Sequence, residues 1–112
     1  MDNESKTQWI DIGSSSEIDE GHRKEYVVGE LIIAVFRVGG TLFALDGLCA
    51  HQGGPIAKGE LSQTDQGHPC VTCPWHGWQY ELGTGIQTVN RQPLQRTFPV
   101  RENNGRIEVS TQ

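Results

Sequence analysis

The sequence lacks the features that mark several classes of protein. Its best apolar run, Leu31 to Val38, is only as long as a strand, whereas a membrane-spanning helix needs roughly 18–20 apolar residues. The N-terminal residues lack a basic segment followed by an apolar one, so we expect no secretory signal, a cytoplasmic location and no membrane contact. Lysine and arginine number 9 against 14 aspartates and glutamates, a net charge of −5. This balance argues against a nucleic-acid partner and suits a partner with a basic docking patch.

Cysteine is scarce and glycine is abundant. The three cysteines are an odd number, and in a chain without a secretory signal this favours metal chemistry over a disulfide scaffold. Glycine makes up 14 of the 112 residues, against an ordinary usage of about 7%. Such a chain turns often and lets its backbone approach other groups closely.

Apolar alternation and turn signals predict an all-β fold built from antiparallel hairpins. Residues 1–8 are expected to be a flexible N-terminus, and residues 9–112 a single domain. Gly39-Gly40 and Asn104-Gly105 fit the positive-φ positions of tight hairpin turns. A further hairpin is expected at 79–89 with its turn at 83–85, and residues 49–60 and 73–78 are expected to form two loops.

These two loops offer the same pair of metal ligands. Cys49 and His51 stand in CAH, and Cys73 and His76 stand in CPWH, so four ligands on two loops predict a metal site. Zinc is one candidate and would make the chain a zinc-stabilised binding module, but zinc fingers usually pair like ligands, whereas each loop here mixes a thiolate with an imidazole. A binuclear iron–sulfur cluster explains the mixing, with both cysteines on one iron and both histidines on the other.

The segments CAHQGGP and CPWHGWQYELGTG resemble the two cluster-binding loops of Rieske [2Fe–2S] proteins. The flanking GGTLFALDGLC and FPVRENNGRIEV are similar to the strands that frame these loops, and the likeness covers residues 9–109. It implies a Rieske-type antiparallel β-sandwich with a small cluster-binding subdomain of two loops. It also implies a [2Fe–2S] cofactor whose metal ligands are Cys49, His51, Cys73 and His76.

The resemblance suggests which residues surround the cluster. Gly53, Gly54 and Gly77 can bring backbone N–H groups close to the cluster sulfurs. Respiratory Rieske proteins carry an extra cysteine in each loop, and the two form a disulfide that ties the loops together. Gly54 and Trp75 occupy those positions here, so the loops lack that covalent link.

Two further residues bear on the reduction potential. Trp78 stands where the respiratory branch has a serine hydroxyl, and Tyr80 matches the position of a second hydroxyl donor. Loss of a donor to a cluster sulfur lowers the potential, so we expect a value toward the low end of the Rieske range of about −150 to +300 mV. Two interpretations of Trp75 and Trp78 stay open, contact with a partner protein and packing within the loops.

The third cysteine, Cys70, precedes Cys73 in CVTC, a spacing also found in redox dithiols. Because Cys73 is assigned to iron and Cys70 lies in a valine- and threonine-rich strand, we interpret Cys70 as a small packed residue.

The expected function is a soluble Rieske-type ferredoxin that carries one electron between a reductase and a terminal oxygenase. No catalytic residue is assigned, since 112 residues leave no room for a mononuclear-iron catalytic domain and no Gly-x-Gly-x-x-Gly nucleotide fingerprint is present. The chain is thus expected to be an electron-transfer component rather than a stand-alone catalyst. The alternative is the small Rieske subunit of an assimilatory nitrite reductase, bound to a large sirohaem- and flavin-containing subunit.

Overall fold

The computed structural model of the protein describes residues 8–50, 53–75 and 77–111. Most of the segment expected to be flexible therefore lies outside the described residues. Within the described ranges the chain forms ten strands and two single 3₁₀ turns, Ser15–Glu17 and Ile56–Lys58. In chain order the strands are β1 Ile10–Ser14, β2 Arg23–Val28, β3 Leu31–Val38, β4 Thr41–Asp46, β5 Glu60–Gln63, β6 Pro69–Thr72, β7 Gln79–Glu81, β8 Thr97–Phe98, β9 Val100–Asn103 and β10 Arg106–Val109.

The strands make three antiparallel sheets, which confirms the expected all-β fold. One sheet has the order β2-β3-β4-β8, the second β1-β10-β9 and the third β5-β6-β7. The third sheet carries one predicted ligand loop, and the other loop leaves the end of β4. No helix in the part of the chain that the structure describes is long and apolar enough to cross a membrane.

Two tight turns lie where Gly39-Gly40 and Asn104-Gly105 predicted them. Gly39 and Gly40 have φ of 63° and 78° and join β3 to β4, with Val38 paired to Thr41. Asn104 and Gly105, at φ of 54° and 78°, join β9 to β10. Positive φ at both central residues matches the right-handed twist of the flanking strands, which is why glycine and asparagine are favoured there.

The structure differs from the sequence prediction in two places. Strand β5 was not expected, because ELSQ is polar and only its leucine is partly buried. The expected hairpin at 79–89 forms only in part. Tyr80 and Gln87 make an antiparallel bridge, and the Thr88 N–H donates to the Gln79 carbonyl at 3.0 Å, but residues 86–89 do not continue as a strand. The Gln87 side chain instead accepts hydrogen bonds from the N–H groups of Val89 at 3.1 Å and Asn90 at 2.7 Å, which folds this segment into a turn.

Two apolar clusters form the core. The first cluster lies beneath the ligand loops and includes both predicted cysteine ligands together with Phe36, Leu45 and Tyr80. The second cluster packs Ile33, Val35 and Phe98 against residues of β1, β2 and β10 and contains no cysteine. The predicted site therefore rests on a packed core rather than on a detached loop.

An exposed carboxylate closes the first 3₁₀ turn. Glu17 accepts hydrogen bonds from Lys24 Nζ and Tyr26 Oη, both at 2.9 Å, and from the Ser14 N–H at 3.3 Å. These donors lower the pKa of Glu17 from 4.5 to about 2, the Lys24 hydrogen bond contributing most. Glu17 thus links the turn to strand β2.

Candidate metal centre

The first ligand loop is closed by its own backbone around Cys49. The Cys49 N–H donates to the Gly54 carbonyl, and the Gly53 N–H donates to the Cys49 carbonyl, both at 2.7 Å. Gly53 has φ of 77°, a conformation that side chains disfavour, and glycine allows the turn. The Gly53 amide, expected near the cluster sulfurs, is engaged in this closure.

The second loop joins β6 to β7 and carries Cys73. The Cys73 N–H donates to the Trp78 carbonyl at 2.7 Å, which closes the loop at its base. Gly77 has φ of 74°, so the chain turns back toward β7 through a left-handed residue. The backbone N–H of Trp75 lowers the pKa of the Cys73 thiol, an influence that the sequence did not predict.

The two cysteine side chains meet in the core. Cys49 is 4% exposed and Cys73 is 1% exposed, and the two sulfurs are near enough to affect each other's ionisation. Burial raises the pKa of the Cys73 thiol, the Trp75 amide opposes this rise, and the neighbouring Cys49 sulfur adds to it. Two adjacent buried thiols suit a shared metal ion, because the ion's charge offsets the cost of holding two thiolates together.

A tyrosine hydroxyl supports one of these sulfurs. Tyr80 is fully buried in β7, and its Oη lies 3.3 Å from Cys49 Sγ. A thiolate bound to metal has no proton, so in that state the hydroxyl donates. The structure thus brings together Cys49, Cys73 and Tyr80, three of the residues expected at the site.

The two loops pack directly on each other at Gly54. A Cβ built there would lie 2.8 Å from Trp75 Cγ and 2.9 Å from Cys73 Sγ, so a side chain larger than hydrogen does not fit. Gly54 therefore serves as a close-approach position between the loops. Trp75 remains 49% exposed, so its ring both contacts the first loop and presents surface to solvent.

The remaining tryptophan and cysteine play packing roles in the structure. Trp78 is partly buried against the first core cluster, in line with the packing interpretation. Cys70 is fully buried in β6, where its thiol donates to the His68 carbonyl at 3.5 Å and burial raises its pKa. Such a thiol is a poor nucleophile and suits the role of a packed residue.

A buried carboxylate follows Tyr80 in β7. The Glu81 side chain is 8% exposed and accepts hydrogen bonds from Thr84 Oγ1 at 3.0 Å and Arg91 at 3.1 Å. Burial acts to raise the pKa of Glu81, but these two hydrogen bonds and the charges of Arg91 and His68 hold it below its usual value. Arg91 lies in the turn after β7, so the ion pair fixes that turn to the third sheet.

The predicted histidine ligands, His51 and His76, lie outside the described residues. Among the residues that are described, no three histidine, cysteine, aspartate or glutamate side chains come together as a metal site. The described residues therefore include only the two cysteine ligands of the predicted site. This pair fits a thiolate-bound metal because both sulfurs are buried, the Tyr80 hydroxyl contacts the Cys49 sulfur, and the Trp75 amide favours the thiolate form of Cys73.

Comparison with known proteins gives the family. The model of the Rieske [2Fe–2S] domain matches residues 8–99. The chain belongs to the Rieske [2Fe–2S] family. The ferredoxin subunit of anthranilate 1,2-dioxygenase from Burkholderia cepacia, a relative of this Rieske chain, is 31% identical to it over 92% of both sequences.

Solved structures agree with this Rieske fold. The structure of a complex between reduced oxygenase and oxidised ferredoxin of carbazole 1,9a-dioxygenase matches at a TM-score of 0.77 and 25% identity, over 91% of this chain and 92% of that one. A putative NADH-dependent nitrite reductase small subunit from Mycobacterium tuberculosis matches at a TM-score of 0.85 and 18% identity, over 95% and 96%. The expected family, fold and [2Fe–2S] cofactor are confirmed, and the cofactor disfavours the zinc-module alternative.

Proposed function

We propose that this Rieske protein is a soluble ferredoxin that carries one electron from a reductase to a terminal oxygenase. The similarity that supports this most directly is to the ferredoxin subunit of anthranilate 1,2-dioxygenase, which spans 92% of both chains. The ferredoxin in the carbazole 1,9a-dioxygenase structure adds a relative seen together with its oxygenase. A net charge of −5 suits transient docking on a basic surface, because opposite charges speed encounter without requiring a large interface.

We propose that Cys49 and Cys73 hold one iron and that His51 and His76 hold the other. When bound, the [2Fe–2S] cluster supplies a one-electron redox centre. The adjacency of the two buried thiols is the observation that supports the cysteine half. The chain's own contribution is to hold these sulfurs in a dry core and to direct N–H and O–H donors at them.

The ligand set is tested by spectroscopy of the purified protein and its variants. The wild-type protein should be coloured, and after reduction it should give a Rieske-type EPR signal. Cys73→Ser and His76→Cys should each lose that signal. Cys70→Ala removes a thiol three residues from Cys73 and serves as the matched control, which should keep the spectrum. Retention of the native signal in either ligand variant contradicts the assignment, and a colourless zinc protein contradicts the cofactor.

The carrier role is tested with a reductase and an oxygenase. The protein should restore electron flow from an NADH-dependent ferredoxin reductase to a Rieske-type dioxygenase, and complex formation should weaken as salt is added. Stable co-purification with a large sirohaem- and flavin-containing subunit would instead support the nitrite reductase alternative. The likeness to the nitrite reductase small subunit, at 18% identity, supports the shared fold alone.

We further propose a cytoplasmic location, where a reductase using NADH would be available. The odd number of cysteines, three, favours metal chemistry over a disulfide scaffold and agrees with a compartment that keeps thiols reduced. Cell fractionation with an antibody to the chain tests the proposal, and recovery in another compartment contradicts it.

A further inference from the structure

We propose that Gln95 is a positioning residue that fixes the backbone on both sides of Cys49 and thereby controls how firmly the cluster is held. Its side-chain Nε2 donates to the carbonyls of Asp46 and Leu48, both at 2.7 Å. Its Oε1 accepts from the Ala50 N–H at 2.8 Å. The inference rests on the proposed role of Cys49 as a ligand.

The sheet brings Gln95 to this place. Strands β4 and β8 pair through Ala44 with Phe98 and Leu45 with Thr97, so the residues just after β4 face those just before β8. Strand β4 leads into the first ligand loop, and β8 follows the turn after β7. The pairing therefore sets Gln95 beside a loop that is 45 to 49 residues away along the chain.

The amide orientation is determined by its partners. Two carbonyl oxygens can only accept and the Ala50 N–H can only donate, so a single placement of the amide satisfies all three. Both Nε2 protons are used, and the residue is 2% exposed. No other natural side chain of this length offers two donors and one acceptor in one plane.

Gln95 is in turn held from the opposite side. Its backbone N–H donates to the Gly85 carbonyl at 3.1 Å. A Cβ at Gly85 would collide with the Gln95 carbonyl, and Gly85 has φ of 75°, so glycine allows this close approach. The side chain thus ties the first ligand loop to the turn of the third sheet, which carries the second loop.

The expected consequence is a loss of cluster retention and a change of its spectroscopic signature. Residues that orient ligands through hydrogen bonds typically change metal affinity by about 10–100-fold when they are replaced. Gln95→Met keeps the length of the side chain but removes all three bonds. Gln95→Glu keeps the shape but turns an acceptor toward two carbonyls.

The experiment compares Gln95→Met and Gln95→Glu with Gln87→Met in the holoprotein. Gln87 is a suitable control because it is also buried, at 6%, and accepts two backbone hydrogen bonds, but these lie within its own turn. After matching the variants for stability, we expect cluster release to a chelator to be about tenfold faster in the Gln95 variants. We also expect their EPR signal to shift or broaden, while Gln87→Met keeps the wild-type signal.

Two results would overturn the inference. One is release at the Gln87→Met rate together with an unchanged EPR signal. The other is measured on the wild-type holoprotein and therefore still applies if the variants fail to fold. If Gln95 fixes the loop, the Ala50 backbone N–H and the Gln95 side-chain amide should exchange hydrogen with the same opening free energy. Independent exchange of the two groups rejects the inference. If Cys49→Ser leaves the cluster intact, the ligand proposal fails, whereas normal behaviour of the Gln95 variants alone leaves that proposal standing.

Discussion

Removal of the Tyr80 hydroxyl should lower the reduction potential. The Tyr80 Oη lies 3.3 Å from Cys49 Sγ, and the whole tyrosine is buried in the core. One-electron reduction increases the negative charge on the sulfur, so the O–H donor stabilises the reduced state more than the oxidised state. Tyr80→Phe deletes this donor and keeps the ring.

The size of the effect follows from the hydrogen bond. A hydrogen bond to a charged group contributes about 1.5–3 kcal/mol, and roughly a third of this differs between the two redox states because the added charge is shared across the cluster. The difference of about 0.5–1 kcal/mol corresponds to a fall of about 20–45 mV, at about 59 mV per tenfold change for one electron. The loss of one buried hydrogen bond should also cost about 1 kcal/mol of unfolding free energy.

The assay is a redox titration of Tyr80→Phe beside the wild-type protein, followed by circular dichroism or by protein-film voltammetry. Tyr26→Phe is the matched control, since Tyr26 is also buried and hydrogen-bonded, but it lies in the second core cluster and donates to Glu17. Tyr26→Phe should lose stability without changing the potential. A change of less than about 10 mV for Tyr80→Phe with an intact cluster, or a rise, refutes the reasoning.

Three further substitutions test contacts elsewhere. Gly54→Ala should cost about 1–3 kcal/mol in a denaturant titration, because the added methyl group overlaps Cys73 Sγ; wild-type stability would contradict the close approach. Arg91→Met should cost about 1–2 kcal/mol by leaving the Glu81 carboxylate with one donor fewer, and an unchanged midpoint would contradict this. Since the folded pKa of Glu17 is lowered to about 2, its stabilisation is complete above about pH 4.5 and is lost as pH falls toward 2. The stability difference between wild type and Glu17→Gln should therefore shrink over that range, and a constant difference would contradict the assignment.

Much of the fold was predictable because its signals are local. The Gly39-Gly40 turn and the apolar run of β3 lie next to each other in the sequence, and together they specify a hairpin. Strand β5 gave no such signal, since it is a polar edge strand whose pairing with β6 is decided by the sheet. The arm predicted at 86–89 pairs with β7 only as far as Thr88, because the Gln87 side chain holds the next two amides in a turn, and a glutamine in the sequence does not reveal this.

The candidate site likewise has a part that the sequence predicted and a part that it did not. The cysteine and histidine spacing predicted the ligands because metal chemistry requires particular side chains. Gln95 holds the first ligand loop by binding backbone atoms instead, the carbonyls 47 and 49 residues away. Any residue type has a backbone, so no pattern in the sequence identifies such partners.

The contact between Gly54 and Trp75 explains how the loops can stay together without a covalent link. At the two positions where respiratory relatives place disulfide-forming cysteines, this chain has a residue with no side chain and the largest of all side chains. The indole Cγ would lie 2.8 Å from a Cβ at Gly54, so the ring packs on bare backbone. Such packing stabilises the contact between the loops through buried apolar area, without the covalent ring that a disulfide would close. The strength of this contact also depends on what covers the exposed half of the indole. The same ring therefore joins the two ligand loops and offers surface beside them, so packing and partner contact are compatible roles for Trp75.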